Sequence, residues 1–418
     1  MPIATDAAPG RPLETWVARE TAHLATARPL LYRALWWIWR HPAAALLPLA
    51  VVVGGIAGFM RQDGDQVRFR AAGAAMFGHG VLDTFGNSWI QVGPVYLAAL
   101  GAWERVGTLV GLPEGAIGTS SAALQSLLIG ALALTVAGRA AALGFAPVRR
   151  TQWIVGTVVV LGGLLNQAMF ADHPEELLLG LLVALAAVEV GRGRRGLAAV
   201  LLGLGAGVKT WTPICAGVLF HGRRARATAG ALGALAVILA LMYGPFVLWG
   251  SVATFDLSWI LPTGSWYQSL APSAVTIGWG FRLLQAAVAG GAGALLALRR
   301  HGSVLAPAVV SLAARLLVDP IRLSYYWTAL GAVLVVWLWT TPTPLVRRVR
   351  VVATLALPVL TLQPVLPTGA WWNAGTVVCV AVLVVCVLAE RQPRISGPKP
   401  GGPATASAPV VRDEMRVP

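Results

Sequence analysis

Long apolar runs recur along most of the chain between residues 43 and 390, and short polar turns separate them. A helix needs about 20 apolar residues to cross a hydrocarbon core about 30 Å thick. The pattern therefore predicts an all-α protein, a polytopic transmembrane helical bundle of about twelve spans. The spans are expected at 43–60, 119–138, 152–171, 174–190, 196–208, 211–221, 228–249, 273–298, 303–318, 323–340, 351–367 and 371–389.

The turns between the apolar runs carry most of the arginines, and these set the predicted orientation. Cytoplasmic loops carry an excess of Lys and Arg. The segment 91–111 contains Glu104 and Arg105, and each charge at the centre of a span would cost roughly 2.5–3.5 kcal/mol. We therefore expect this segment to lie along the outer interface, which makes both termini and every later basic turn cytoplasmic. Those turns are 139–150, 191–195, 221–226, 299–301 and 347–350.

Three regions follow from this arrangement. Residues 1–42 are expected to form a cytoplasmic N-terminal region that ends in a Trp- and Arg-rich interfacial helix. Residues 43–390 are expected to form the bundle. Within it, 61–118 is the first outer region, which consists of a polar loop over 61–90 and then the interfacial segment 91–111. The tail 391–418 is rich in Pro, Gly and Ala and is expected to be disordered in the cytoplasm.

One pair of neighbouring apolar runs differs from the rest in length. The runs 196–208 and 211–221 are too short for two ordinary crossings. They predict a broken hairpin whose tip, 208–213, lies in or near the outer leaflet. Irregular backbone at that depth is tolerated where it is buried in protein or lines a wet cavity.

The composition agrees with a bilayer as the solvent. Of the 418 residues, 57% are hydrophobic and 12% are charged, whereas about 25% of the residues in soluble domains are charged. The net charge of +15 does not indicate nucleic acid, because the arginines lie in short turns. Apart from Lys399 in the tail, Lys209 is the only lysine. The cysteines lie in apolar runs and are interpreted as small hydrophobic residues.

Chemically varied polar residues gather on the predicted outer side, whereas the cytoplasmic turns carry little except Arg. The outer set consists of Asp63, Asp65, His173, Glu175, Glu176, Lys209, Asp256, Asp319 and Arg322. This asymmetry favours chemistry on substrates held in the outer leaflet.

Several of these residues also have a purely structural interpretation. Asp63 and Asp65 could be solvated loop charges. The segment 173–176 is a good helix start, with Pro in the first turn and acids at the positive end of the helix dipole. Lys209 could extend its amine from a helix end towards water.

The later polar residues leave the same alternatives open. Asp319 could pair only with Arg315, four residues earlier on a helix. The aromatic run 325–327 could be an interfacial belt. Arg282 could mark an interfacial helix, although an ionisable group inside a membrane is a functional candidate by default.

Four elements occur in order along the chain: Asp65 followed by Phe69, Ala72 and Gly78; His173-Pro174-Glu175-Glu176 before an apolar helix; Gly205 to Trp211 around Lys209; and Asp319-Pro320 followed by Tyr325-Tyr326-Trp327. Together they resemble the GT-C superfamily of membrane glycosyltransferases, specifically the actinobacterial family 87 mannosyltransferases that use polyprenyl-phosphate mannose. The resemblance covers about 43–390. Where that family often has a Tyr-Pro-Pro type sequence, this chain keeps only Gly93-Pro94.

The resemblance implies an inverting mannosyltransferase of the cell envelope, in the plasma membrane, with its active site on the outer face. Its substrates would be a polyprenyl-phosphate sugar and a lipid or glycan acceptor. Asp65 would be the general base, with Asp63 as the alternative. The expected phosphate-binding residues are Lys209, Arg322 and His173, and the expected substrate-binding residues are Glu175, Asp319, Tyr325, Tyr326 and Arg282.

Some features of this reaction stay open at the level of sequence. Segment 91–111 is expected to guide the prenyl chain. No cofactor is expected, because the lipid-linked sugar is a substrate, while a divalent ion held weakly by Asp63, Asp65 and His173 is an open alternative. Arabinose is an alternative to mannose, and the acceptor is not identified.

The rival function class is a polytopic transporter or a flippase for lipid-linked sugars, because many spans and a broken hairpin are also transporter features. Two observations weigh against it: the two halves show no repeat, and the polar groups cluster on one side. A structural membrane protein would leave Lys209 and Arg282 unexplained.

Overall fold

The computed structural model describes residues 23–144, 146–222, 224–254, 257–259, 261–270, 275–277, 279–299, 302–361 and 368–392. Most of the N-terminal region, Asp256, parts of the expected spans 273–298 and 351–367, and nearly all of the expected disordered tail lie outside these residues.

The described chain is helical apart from one short antiparallel strand pair. The helices are α1 (Pro29–Arg40), α2 (Pro42–Met60), α3 (Asp65–Ala75), α4 (Pro94–Leu109), α5 (Glu114–Leu143), α6 (Val148–Val160), α7 (Leu164–Phe170), α8 (Pro174–Gly191), α9 (Arg195–Val208), α10 (Ala225–Trp249), α11 (Trp266–Leu270), α12 (Trp279–Ala297), α13 (Ala306–Val318), α14 (Tyr326–Thr340), α15 (Pro344–Thr361) and α16 (Gly369–Arg391). Two 3₁₀ helices span Val81–Gly86 and Thr212–Phe220. Strands β1 (Leu257–Trp259) and β2 (Val275–Ile277) pair with Ser258 opposite Thr276.

Within the described residues, six helical segments are long and apolar enough to cross a membrane. They are Pro42–Met60, Glu114–Leu143, Val148–Phe170, Ala225–Trp249, Trp279–Ala297 and Gly369–Arg391. The predicted helical fold with several membrane-length segments is confirmed at this level. The other expected spans correspond to helices that are shorter, such as α14, or more highly charged, such as α8, and the total of about twelve stays a prediction.

Helices α8 and α14 form the centre of the bundle. Nearly every residue of both is buried, as expected for a helix that is apolar on all sides. A glycine lets the two backbones approach closely, because a Cβ at Gly180 would lie 2.7 Å from the Cα of Ala329. The packing fixes the start of α8 against the start of α14, and both starts carry predicted site residues.

The structure differs from the sequence prediction in three places. The segment 61–90 is not one polar loop, because α3 and a 3₁₀ helix occupy much of it and Phe69 and Gly73 of α3 are buried. The expected turn 347–350 lies inside α15. The expected span 152–171 is divided between α6 and α7, where Gly163 adopts a left-handed conformation with φ of 97°.

The arginine-rich turns meet at one end of the bundle. Glu189 at the end of α8 is fully buried, with Arg139 at 2.7 Å and Arg192 at 3.4 Å. Arg149 donates a hydrogen bond to the carbonyl oxygen of Arg40 over 2.9 Å. His173, Glu175 and Glu176 of the predicted outer set lie at the opposite end of α8, so this helix separates them from the arginine-rich turns.

Helix α3 lies on α4 through paired glycines. A Cβ at Gly101 would lie 2.0 Å from the carbonyl carbon of Gly73, so only glycine permits this approach. An ion pair of 3.0 Å between Arg70 and Glu104 joins the same helices and neutralises one of the charges that argued against a crossing by 91–111.

We expect Gly101→Ala to lower the thermal unfolding midpoint of the purified protein in detergent. The added methyl group must push α3 from α4, and overpacking of this kind costs about 1–3 kcal/mol. The matched control is Gly55→Ala in α2, where an added Cβ meets nothing within 4 Å. Equal midpoints for the two variants would contradict the packing of α3 on α4.

Candidate functional site

The end of the bundle opposite the arginine-rich turns brings residues from four helix ends together. Asp65 begins α3, His173 directly precedes α8, Lys209 follows α9 and Tyr325 directly precedes α14. Each side chain is thereby held at the end of a packed helix, which positions it more rigidly than a loop would.

His173 lies between two carboxylates. Its Nε2 is 3.2 Å from Asp65 Oδ2, and its Nδ1 is 2.7 Å from Glu175 Oε1. The ring stacks on Tyr325 with centroids 3.7 Å apart. Asp65 is the most accessible member, with 39% of its side chain exposed, whereas Glu175 is fully buried.

The protonation of His173 follows from these contacts. Burial lowers the pKa of His173, but the charge of Glu175 and hydrogen bonds with both carboxylates outweigh it and leave the pKa raised. The hydrogen bond with His173 lowers the pKa of Asp65 against the opposing effect of burial. An imidazolium that donates to two ionised carboxylates is therefore the favoured state, and Asp65 is a half-exposed carboxylate able to accept a proton.

Lys209 is bound by the same buried acids. Its Nζ lies 2.9 Å from Glu175 Oε1 and 3.3 Å from Glu176 Oε1. The backbone of Lys209 forms a β-bridge with Val92, and the Nε1 of Trp211 donates to Glu176 over 3.3 Å. The irregular segment between α9 and the 3₁₀ helix is thus stabilised by hydrogen bonds inside the protein.

A second charged cluster contains Asp319, Arg315, Arg282 and Gln285. Both arginines lie 3.6 Å from Asp319 Oδ2. The closer hydrogen bonds to this carboxylate come from the amide of Gln285, over 3.1 Å, and from the backbone nitrogen of Ile321, also over 3.1 Å. The predicted pair of Asp319 with Arg315 is therefore present, but Asp319 also contacts Arg282 and accepts hydrogen bonds from Gln285 and Ile321.

Aromatic rings connect the two clusters. The Arg315 guanidinium lies 4.0 Å from the ring centroid of Trp211 and 4.5 Å from that of Tyr326. Tyr326 packs edge-to-face against Tyr325, which stacks on His173. Two tyrosine rings thus separate the imidazolium from the arginines, and Tyr325 and Tyr326 are part of the site.

The structure does not bring Arg322 and Asp63 into these clusters. Arg322 is fully buried, donates to the carbonyl oxygen of Trp372 over 2.8 Å and to the Thr376 hydroxyl, and stacks on the Trp372 ring. These contacts attach it to α16. Asp63 lies exposed in the bend between α2 and α3.

Sequence reasoning missed Asp172, which supports the first cluster. It has a left-handed backbone with φ of 60°, a conformation that is uncommon outside glycine. Arg61 lies 3.4 Å from its carboxylate, and Gln66 donates to its carbonyl oxygen. Burial raises the pKa of Asp172 although Arg61 opposes the rise. Its position next to His173 was the one available signal.

Sequence reasoning also left Arg315 and Trp211 without a binding role. Both lie at the site because the helices that carry them pack together. Arg315 had been considered only as a local partner of Asp319, and Trp211 only as part of the segment around Lys209.

A metal site is not evident in the described part of the chain, since no group of three or more His, Cys, Asp or Glu side chains there is arranged to hold an ion. The arrangement instead offers an accessible carboxylate, an imidazolium that orients it, and a separate pair of arginines.

Comparison with known proteins leaves this geometry as the main guide to function. No protein-family model matches the chain, and neither the curated proteins nor the solved structures provide a match.

We expect Lys209→Ala to destabilise the protein by about 3–5 kcal/mol, because removing one partner of a buried ion pair leaves its carboxylates uncompensated. Thermal unfolding of the purified protein in detergent measures this loss.

The control is Arg68→Ala, which removes an exposed ion pair of 3.4 Å with Asp65. Exposed pairs contribute about 1 kcal/mol or less. If the Lys209 and Arg68 variants lost equal stability, the buried ion cluster would not be important for stability.

Proposed function

We propose that the chain is a membrane glycosyltransferase that moves a sugar, taken as mannose, from a polyprenyl-phosphate donor to a hydroxyl group of a lipid or glycan acceptor. The observation that carries the proposal is the half-exposed Asp65 carboxylate, oriented by His173, which Glu175 and Lys209 hold in place. The ordered motifs that resemble family 87 enzymes supply the substrate class.

The reaction needs one base and little else from the protein at the acceptor. The acceptor hydroxyl oxygen attacks the anomeric carbon as the bond from that carbon to the phosphate oxygen breaks. The bonding electrons leave with the phosphate, and the hydroxyl proton passes to Asp65. Attack from the face opposite the leaving group inverts the anomeric centre, and the products are the glycosylated acceptor and polyprenyl phosphate.

The lowered pKa of Asp65 suits this role. The carboxylate is ionised at neutral pH and therefore available at every turnover. Proton transfer to this weak base becomes favourable during the reaction, because the hydroxyl becomes more acidic while its oxygen bonds to the electron-poor anomeric carbon. Asp63 is the less suitable base, since it lies exposed and outside the His173 contacts.

The proposal includes a GT-C-like bundle of about twelve spans in the plasma membrane, with both termini in the cytoplasm and the site on the outer face. The gathering of arginine-rich turns at the end opposite the site supports this orientation. A flippase would instead need polar groups along a path between the two ends, and the fully apolar middle of α8 offers none.

We expect Asp65→Asn to lower sugar transfer by about 10²–10⁴-fold, the usual contribution of a positioned general base. Membranes that contain each variant at equal expression are incubated with radiolabelled polyprenyl-phosphate mannose, and label in lipid and glycan products is counted. The matched control is Asp83→Asn, which makes the same carboxylate-to-carboxamide change at an exposed residue elsewhere in the expected outer segment.

The Asp63→Asn variant discriminates between the two candidate bases. Loss of transfer in Asp63→Asn with full transfer in Asp65→Asn would assign the base to Asp63 and refute the site. Transfer absent from wild-type membranes with every lipid-linked sugar tested would refute the glycosyltransferase, and sidedness of lipid-linked sugars in vesicles would then test the flippase.

The transfer rate should have a plateau between an acid limb below pH 3.8 and an alkaline limb above pH 6.5, the ordinary pKa values of the two groups. Asp65 loses its charge only below its lowered pKa. His173 becomes neutral only above its raised pKa. The neutral ring has one N–H instead of two and can no longer donate to both carboxylates, so Asp65 is less firmly oriented. In His173→Gln the alkaline limb should disappear, and an unchanged limb there would exclude His173 as its source.

A further inference from the structure

A cavity of about 680 Å³ lies beside the second charged cluster. Its walls come from α10, the 3₁₀ helix Thr212–Phe220 and α12, and they are mainly apolar, with Ile214, Leu239 and Phe246 among the lining residues. Pockets that bind small organic ligands have volumes of about 300–1,000 Å³ and similar apolar walls.

The cavity has access from the side of the bundle. Val247 of α10 and Leu283 of α12 both line it, and both are more than 60% exposed on the outside of the bundle, at 62% and 64%. Helices α10 and α12 are among the membrane-length segments. An apolar molecule could therefore enter from the lipid between them without crossing water.

Arg282 and Arg315 line the polar end of this cavity. Arg315 is 3% exposed, and its Nε and Nη1 have no hydrogen-bond partner among the described residues; the Nε of Arg282 has none either. Burying such donors without an acceptor is costly. Asp319 is the one carboxylate of this cluster, so the cluster has two cations for one anion. Its Oδ2 lies 3.6 Å from each arginine, which is beyond good hydrogen-bond range.

Lys209 differs from these arginines because its charge is already paired with carboxylates. It already lies within 3.3 Å of two buried carboxylates, so an added anion would meet their negative charge. The Arg315 guanidinium lies over the Trp211 ring and has two unpartnered nitrogens among the described residues, and a guanidinium can bind two phosphate oxygens at once.

We propose that Arg282 and Arg315 bind the phosphate of a prenyl monophosphate whose hydrocarbon chain occupies the apolar cavity. The phosphate class follows from the unpartnered arginines beside an apolar space, whereas the prenyl chain rests on the proposed function. This assignment moves the phosphate away from Lys209 and Arg322 and the chain away from segment 91–111.

The position agrees with the direction of the proposed reaction. The first cluster contains three carboxylates, Asp65, Glu175 and Glu176, and Asp65 accepts the proton. The second cluster has two cations for one carboxylate and would bind the negative charge that the phosphate gains. A proton acceptor at one end of the reaction and an excess of positive charge at the leaving group stabilise the polarisation of the reacting bond.

The test is direct binding to the purified full chain in detergent, without sugar or acceptor. A radiolabelled prenyl monophosphate is the probe, and the unlabelled prenol, inorganic phosphate and diacyl phosphatidate are competitors. The expected result is that prenyl monophosphate competes at least tenfold better than each of the others. Equal competition by inorganic phosphate or by phosphatidate would overturn the proposal.

Variants locate the binding site. Arg315→Met and Arg282→Gln should each weaken binding of the prenyl monophosphate at least tenfold, whereas Arg105→Gln, an exposed arginine outside the cavity, should not change it. Gly291→Phe tests the cavity while both arginines remain, because Gly291 lines it and has open space at its Cβ position. It should also weaken binding, and wild-type affinity in Gly291→Phe would refute the cavity as the chain site.

The binding result is separable from the proposed function. Binding that depends on the arginines, in a protein without transfer activity, supports the phosphate site and counts against the glycosyltransferase. Transfer that persists at the wild-type rate and donor KM in Arg315→Met refutes the phosphate site and leaves the glycosyltransferase standing.

Discussion

The burial of two adjacent carboxylates at the start of α8 is the constraint on which the candidate site depends. Glu175 and Glu176 are both fully buried, and a buried charge is tolerated only when it is paired and hydrogen-bonded. Lys209 forms ion pairs with both, and His173 binds the first. These bonds join the ends of α8 and α9, and through His173 they fix the accessible carboxylate of Asp65. The ion cluster is therefore both a structural join and the support of the candidate base.

The paired arginines follow a different principle. Arg282 and Arg315 share Asp319 at distances beyond good hydrogen bonding, several of their nitrogens have no hydrogen-bond partner among the described residues, and both residues line an apolar cavity. A protein that needed them only for stability would satisfy them from within. Because a guanidinium stays charged in nearly any environment, such a pair keeps its positive charge even where water is scarce. In the proposed reaction, the two clusters separate proton acceptance from phosphate binding.

The sequence was most reliable for features that depend on composition and local order. Apolar run length predicted membrane-length helices, and arginine-rich turns predicted one basic end. It was less reliable for 61–90, where polar residues suggested a loop although α3 packs on α4 through Gly73 and Gly101. A helix held by backbone contact needs no apolar stripe, so hydrophobic periodicity does not reveal it.

The sequence by itself determined a helical, membrane-type chain with its varied polar chemistry at a small set of helix ends. It also placed Asp65, His173, Lys209 and Asp319 among the candidates, because unusual residue types stood out between apolar runs. Only the tertiary structure decided which charges are neutralised by partners and which remain available. Lys209 meets Glu175 across 34 positions, a separation that spacing cannot interpret. Pairing across such distances is set by how whole helices pack, and that packing left Arg315 beside an open cavity.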